Sequence, residues 1–164
     1  PNQPFIPFEE YEPLSVATTS VHDSSTIRQW WDDEKESVKA FIKANARDFD
    51  LESADASAGP LFADQKSELE QQADQLSQKA FSPELAQKIL KASAKAASQW
   101  FIPPLQDLLY MDKNLWLPEA KDERINIPGT VTAFNWTYRL PCAVEELTVN
   151  KDLIQKIRTL CHCE

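Results

Sequence analysis

The sequence predicts an α/β chain, rich in helix and holding two short parallel strands. Three observations predict it. Two runs without charge, LSVATTSV at residues 14–21 and QWFIPPL at 99–105, are dense in β-branched and aromatic residues, as in strands covered on both faces. Each run leads into apolar residues at helical spacing, the rhythm of consecutive strand–helix units. Helix starts are punctuated by Thr26, Ser82 and Asn150, each of a type that accepts a bond from an orphan backbone N–H. Two buried strands leave both sheet edges unpaired, so the segment is expected to form part of a larger α/β body.

Residues 1–13 carry four of the eleven prolines beside Phe and Tyr, which favours an extended, ordered loop. The first strand follows at 14–21 and ends at the pair His22-Asp23. Thr26-Ile27-Arg28-Gln29 has the form of a capping box, and Asp32, Asp33 and Glu34 are placed to favour the helix dipole. Ile27, Trp31, Val38, Phe41 and Ile42 make one apolar face out to about Ala46. On that face Trp31 is a core residue, with Trp30 partly exposed. The run DDEKE at 32–36 is a solvated first turn and not a cation site.

Residues 47–62 look like a loop around Ala58-Gly59-Pro60, and 63–80 like a polar, Gln-rich helix packed along Leu69, Ala73, Leu76 and Ala80. Together 47–80 form a helical insertion of unknown role. Ser82 caps the next helix with Pro83 at its first position, and Leu85, Ile89, Ala92 and Ala96 carry it to about Ser98. The second strand at 99–105 runs into a loop or short helix, Gln106-Asp107-Leu108-Leu109. Asn150 caps a last helix through Leu153, Ile154, Ile157 and Leu160.

With 164 residues the chain is at most one ordinary domain. Its net charge of −9 argues against nucleic acid, whose phosphates need clustered Lys and Arg. No apolar run approaches the roughly 18 to 20 residues that span a bilayer, and no secretory leader is evident, so a cytoplasmic location is expected. Proline as first residue suggests an excerpt from a longer polypeptide. Three cysteines, an odd number, fit reduced thiols better than a disulfide framework. Cys161-His162-Cys163 would need distant ligands to complete a metal site, and His22 is the only other histidine, so no metal is expected. Asn135-Trp136-Thr137 matches the glycosylation pattern without a secretory signal behind it, and is taken as chance.

Three blocks then resemble a known family in order along the chain: Thr19-Ser20-Val21-His22-Asp23-Ser24-Ser25-Thr26 with Trp30-Trp31; Pro104-Leu105-Gln106-Asp107-Leu108-Leu109; and Arg124-Ile125-Asn126-Ile127-Pro128-Gly129-Thr130 followed by Asn135-Trp136 and Tyr138-Arg139-Leu140. They are similar to the C-terminal part of the 4-α-glucanotransferases, the amylomaltases or disproportionating enzymes of glycoside hydrolase family 77. The resemblance implies the C-terminal fragment of a (β/α)8 barrel, about its last two strand–helix units. Residues 14–21 would be the seventh strand and 99–105 the eighth, with 1–164 as the C-terminal portion of the catalytic barrel and the site at its C-terminal face. It further implies a retaining double displacement that passes α-1,4-glucan segments to another sugar's 4-hydroxyl. The nucleophile and acid/base would come from earlier strands, so this segment alone would be inactive.

His22 and Asp23 then look like the family's sugar-binding pair, Asp23 stabilising a transition state in which the ring flattens and hydrogen bonds to its hydroxyls strengthen. Ser24 stands where many members carry Asn. Asn126 resembles a residue reaching the sugar from the loop after the eighth strand; read from its neighbours alone, Asn-Ile-Pro-Gly is a turn, with Pro128 fixing φ and Gly129 supplying φ > 0. Gln106, Asp107 and Arg124 are candidates to support the pair from behind, while Gln106 and Asp107 have the plainer alternative of binding backbone groups or pairing with Arg124 or Arg139. The implied partners are an α-1,4-glucan or maltooligosaccharide and the remainder of the same barrel, with no cofactor. Two rivals stay open: a fragment of an α-amylase-type hydrolase, which uses a similar His-Asp pair, and a non-catalytic glucan-binding or acidic interaction module.

Overall fold

A computed structural model of the protein describes residues 5–51 and 63–161, with side chains from 68 to 160 in the second span. Strand β1 (Val16–Ala17) pairs in parallel with β2 (Trp100–Phe101), Val16 opposite Trp100 and Ala17 opposite Phe101. Both are shorter than the predicted runs. The ladder extends to Ile102 N–H, which donates to Ala17 O at 2.9 Å, and stops because Pro103 and Pro104 have no N–H to continue it. Burial on both faces is not observed among the described residues: Leu14, Val16, Trp100 and Ile102 are exposed. The result is a helix-rich partial α/β domain with two short parallel strands.

The helices are α1 (Ile27–Asp33), α2 (Lys35–Ala44), α3 (Ala63–Ser77), α4 (Pro83–Ser93), α5 (Leu105–Leu109), α6 (Val144–Val149) and α7 (Lys151–Cys161). The single helix predicted from Thr26 to about Ala46 is two, broken at Glu34 with φ −117° and ψ 57°. This corrects the role of the acidic run. Asp32 and Asp33 close α1, and the acids favour the dipole of α2 instead, with Glu34 at its cap and Glu36 in its first turn. Thr26 Oγ1 accepts from Gln29 N–H at 3.3 Å, but Gln29 Oε1 is buried without a partner, so only half of the predicted box forms.

Helix α4 starts as expected, Ser82 Oγ accepting from Leu85 N–H, and ends at Ser93 rather than Ser98. Beyond it Ala97 and Gln99 give their N–H groups to Phe8 O and Pro13 O, each at 2.9 Å, which swings the chain into β2. Asn150 caps α7 by accepting from Leu153 N–H, and its amide donates to Asp112 Oδ2 at 2.8 Å. Helix α6, largely exposed and packing on the core through Leu147, is too short to be predicted by periodicity.

The core lies between α1, α2, α4 and α5. Trp31, Ile42, Leu90, Leu109 and Met111 are fully enclosed there. The Trp31 indole satisfies its buried N–H on Lys79 O at 2.9 Å, while Trp30 is half-buried, edge-on to Phe5 and Phe41. Helix α3 lies along α2, Lys39 pairing with Glu70 and Asp74 and Lys43 with Glu70, so the two helices run antiparallel. Its apolar stripe ends at Leu76, since Ala80 is exposed. The predicted loop is described only to residue 51, with a 3-10 turn over Ala46–Phe49; Ala58-Gly59-Pro60 lies outside the described residues. No helix among the described residues is long and apolar enough to cross a membrane.

Candidate functional site

The chain leaves β1 through residues 18–26 and enters α1 at Ile27. Within this connection Ser24 closes a tight turn: its N–H donates to Val21 O at 3.0 Å, and its Oγ accepts from Val21 N–H at 2.9 Å. His22 and Asp23 sit at the tip. Their side chains are 56% and 50% exposed, with His22 Nε2 3.4 Å from Asp23 Oδ2. On its other oxygen, Oδ1, Asp23 accepts from Asn126 Nδ2 at 2.7 Å, and Arg124 Nη2 donates to the Asp23 carbonyl at 3.2 Å. A carboxylate has about four acceptor sites, so Asp23 keeps open lone pairs toward solvent.

Asn126 arrives on a built loop. Thr130 N–H donates to Ile127 O at 3.3 Å across Pro128 and Gly129, and Gly129 takes φ +75°, as a type II turn requires. Asn135 braces it, accepting from Ile127 N–H and donating to Thr130 O and Oγ1. The turn and the reach toward Asp23 are therefore both present; one supports the other. Next to Asn135, the Trp136 ring stands 5.3 Å from the His22 imidazole, tilted by 37°.

Asp107 holds the His22-Asp23 connection at both ends. In the first turn of α5 and with no exposed surface, it accepts from Thr19 Oγ1 at 2.6 Å and Ser20 Oγ at 2.8 Å on one side of the turn, and from Ile27 N–H at 3.2 Å on the other. Burial pushes its carboxyl above the usual range; the three donors pull the other way without cancelling it, and nearby Glu123 adds to the rise. Of the two open alternatives it takes neither an arginine nor backbone alone. Gln106, half-buried, forms no side-chain hydrogen bond with a described residue and is not drawn to the pair.

A second buried carboxylate anchors the base of the Asn126 loop. Glu123, 2% exposed, accepts from Arg28 Nη1 at 3.1 Å, Tyr110 OH at 2.6 Å and Leu117 N–H at 2.7 Å. Arg28 also donates to Leu117 O and Pro118 O and lies over the Trp116 ring at 4.9 Å. Tyr110, pushed far up by burial and then by Glu123, keeps its proton and donates it. In the sequence Glu123 sits inside Lys-Asp-Glu-Arg and looks like a solvated charge, so nothing local marks it. Among the described residues no three His, Cys, Asp or Glu gather as a metal site, and the Cys161-His162-Cys163 motif lies outside the described side chains.

The family model described as 4-alpha-glucanotransferase matches residues 1–145. The chain belongs to the 4-alpha-glucanotransferase family. It is 34% identical over 158 residues to the 4-alpha-glucanotransferase of Chlamydia pneumoniae, covering 94% of this chain and 25% of that protein. To that of Chlamydia muridarum it is 28% identical, covering 95% of this chain and 24% of the relative. To the 4-alpha-glucanotransferase DPE2 of Oryza sativa subsp. japonica it is 28% identical, covering 98% and 14%. The chain thus spans about a quarter of the length of the two chlamydial 4-alpha-glucanotransferases. His22, Asp23, Asp107, Asn126 and Trp136 all fall inside the part that matches the 4-alpha-glucanotransferase family, whereas α7 lies beyond it.

Proposed function

We propose that this chain is the C-terminal part of a 4-α-glucanotransferase, and that its His22-Asp23 turn holds the glucose unit being cleaved from an α-1,4-glucan or maltooligosaccharide. The observation that carries this is the exposed Asp23 carboxylate steadied by Asn126 at 2.7 Å with His22 alongside. Three polar groups of a kind that bonds sugar hydroxyls are gathered here, the adjacent His22 and Asp23 and, from 103 residues further on, Asn126, with their remaining sites open to solvent. Asp23 acts as transition-state stabiliser: its bonds to ring hydroxyls strengthen as the sugar flattens toward an oxocarbenium ion. Asn126 both orients Asp23 and offers its carbonyl to a hydroxyl. Asp107 and Arg124 hold the turn from behind.

The reaction is a retaining double displacement ending in transfer to another sugar's 4-hydroxyl. It needs a nucleophile and an acid/base about 5 Å apart; neither is assigned to these residues, and the segment by itself is inactive. Further strands of a (β/α)8 barrel pair alongside β1 and β2. The exposed apolar flank of Leu14, Val16, Trp100 and Ile102 supports this, since an isolated two-stranded parallel ladder cannot bury its own faces. Within the helical insertion assigned to 47–80, α3 lies along α2. The enzyme works in the cytoplasm without a cofactor.

The test is Asp23→Asn in the full-length enzyme fed maltotriose. Longer maltooligosaccharides plus glucose are the products of transfer, and the variant makes them at least about a hundredfold more slowly, close to 3 kcal/mol of lost transition-state binding, with its melting curve unchanged. Near-normal turnover by the variant overturns the role of Asp23. Products no longer than the substrate favour the hydrolase instead.

A further inference from the structure

Trp136 combines three features that packing does not explain. Its φ is +66°, in the left-handed region where a bulky side chain is an outlier. The residue is 65% exposed, so burial does not offset that strain. Its backbone is nonetheless tied down: Trp136 N–H donates to Ile125 O at 2.7 Å, Asn135 on one side bridges Ile127 and Thr130, and Thr137 Oγ1 on the other donates to Phe134 O. A loop that expends this many bonds to hold an indole in a strained, solvent-facing pose presents the ring to something. Among the described residues its ring partner is the His22 imidazole, at 5.3 Å and 37°.

We propose that Trp136 is a positioning residue for His22, its indole face holding the imidazole plane so that Nε2 stays toward Asp23. An exposed histidine otherwise rotates about its two side-chain torsions, and the ordering must be repeated each time a sugar binds. The loop then grips the pair from two points: Asn126 on the carboxylate, Trp136 on the imidazole. This deepens the function proposed above and rests on the role given there to His22 and Asp23.

The experiment is a double-mutant cycle in the full-length enzyme, with Trp136→Gly, Trp136→Phe and His22→Ala alone and combined, reading kcat, KM and Tm on maltotriose. Glycine accepts the positive φ without strain, so Trp136→Gly melts no lower than the parent while kcat falls on the order of tenfold and KM changes little. Phenylalanine keeps an aromatic face and restores kcat to within about threefold of the parent, and in the His22→Ala background Trp136→Gly has no further effect. Equal losses from Trp136→Gly in both backgrounds would overturn the inference, as Trp136 would then act without His22. So would a Trp136→Gly enzyme that turns over normally while His22→Ala is impaired, or one whose Tm drops in step with its activity. A His22→Ala enzyme with parental turnover overturns the assignment of the pair itself, and the inference with it.

Discussion

Asn126 Nδ2 donates to Asp23 Oδ1 at 2.7 Å, joining the loop after β2 to the turn after β1. The bond aims a half-exposed carboxylate that its own turn would leave mobile. Replacing Asn126 by Ala removes a bond to a charged group, worth about 1.5 to 3 kcal/mol. In the full-length enzyme kcat/KM for maltotriose is expected to fall roughly ten- to a hundredfold. Asn126→Asp sets a like charge against Asp23 and falls further; an Asp variant as active as the parent would separate the two residues functionally.

Asp107→Ala strands three donors, the hydroxyls of Thr19 and Ser20 and the N–H of Ile27, around a fully enclosed site. The hydroxyls can turn to other acceptors, but the N–H cannot. A loss of about 3 kcal/mol in urea unfolding is expected. A loss below about 1 kcal/mol would mean that the connection holds itself.

The same carboxyl gives a pH dependence of unusual sign for an aspartate. Burial raises its folded pKa above the unfolded value of about 3.9. Between the two values the folded chain binds more protons than the unfolded one, so stability falls as pH rises through that window and is flat above it. Asp107→Asn lacks this slope. Urea melts from about pH 3.5 to about pH 7 should show parent stability declining relative to Asp107→Asn; a difference moving the other way would show that the donors outweigh burial.

Glu123 joins Arg28, Tyr110 and Leu117 in one enclosed cluster. Glu123→Ala leaves the Arg28 guanidinium without its carboxylate and is expected to cost about 3 to 5 kcal/mol. Tyr110→Phe removes one of three donors and costs about 1 to 2 kcal/mol. Chemical denaturation of the two variants orders them; the reverse order would relocate the anchor from the carboxylate to the phenol.

At Gly129 a Cβ would meet nothing within 4 Å, so the cost of Gly129→Ala comes from φ alone, +75°. That is about 1 kcal/mol, visible in the melting curve. No measurable change would mean the turn relaxes to negative φ.

The caps at Ser82 and Asn150 and the buried place of Trp31 were legible because each follows from residues within one or two helical turns. The break at Glu34 was not, since no Gly or Pro punctuates 32–36 and the apolar spacing runs through it. His22, Asp23 and Asn126 were singled out by their motifs, and the structure brings all three together. What supports them was harder to see. Asp107 meets Thr19 88 residues away, and its two competing roles looked alike until their partners were known. Trp136 entered only as part of an Asn-Trp motif, because a positive φ on tryptophan has no signature in residue type.

Because one carboxylate grasps Thr19 and Ser20 before the turn and Ile27 after it, the number of residues strung between those anchors is locked. Insertion or deletion there forces Asp107 to release one end. A library that varies this turn should therefore change side-chain chemistry at constant length, and place any changes in loop length elsewhere.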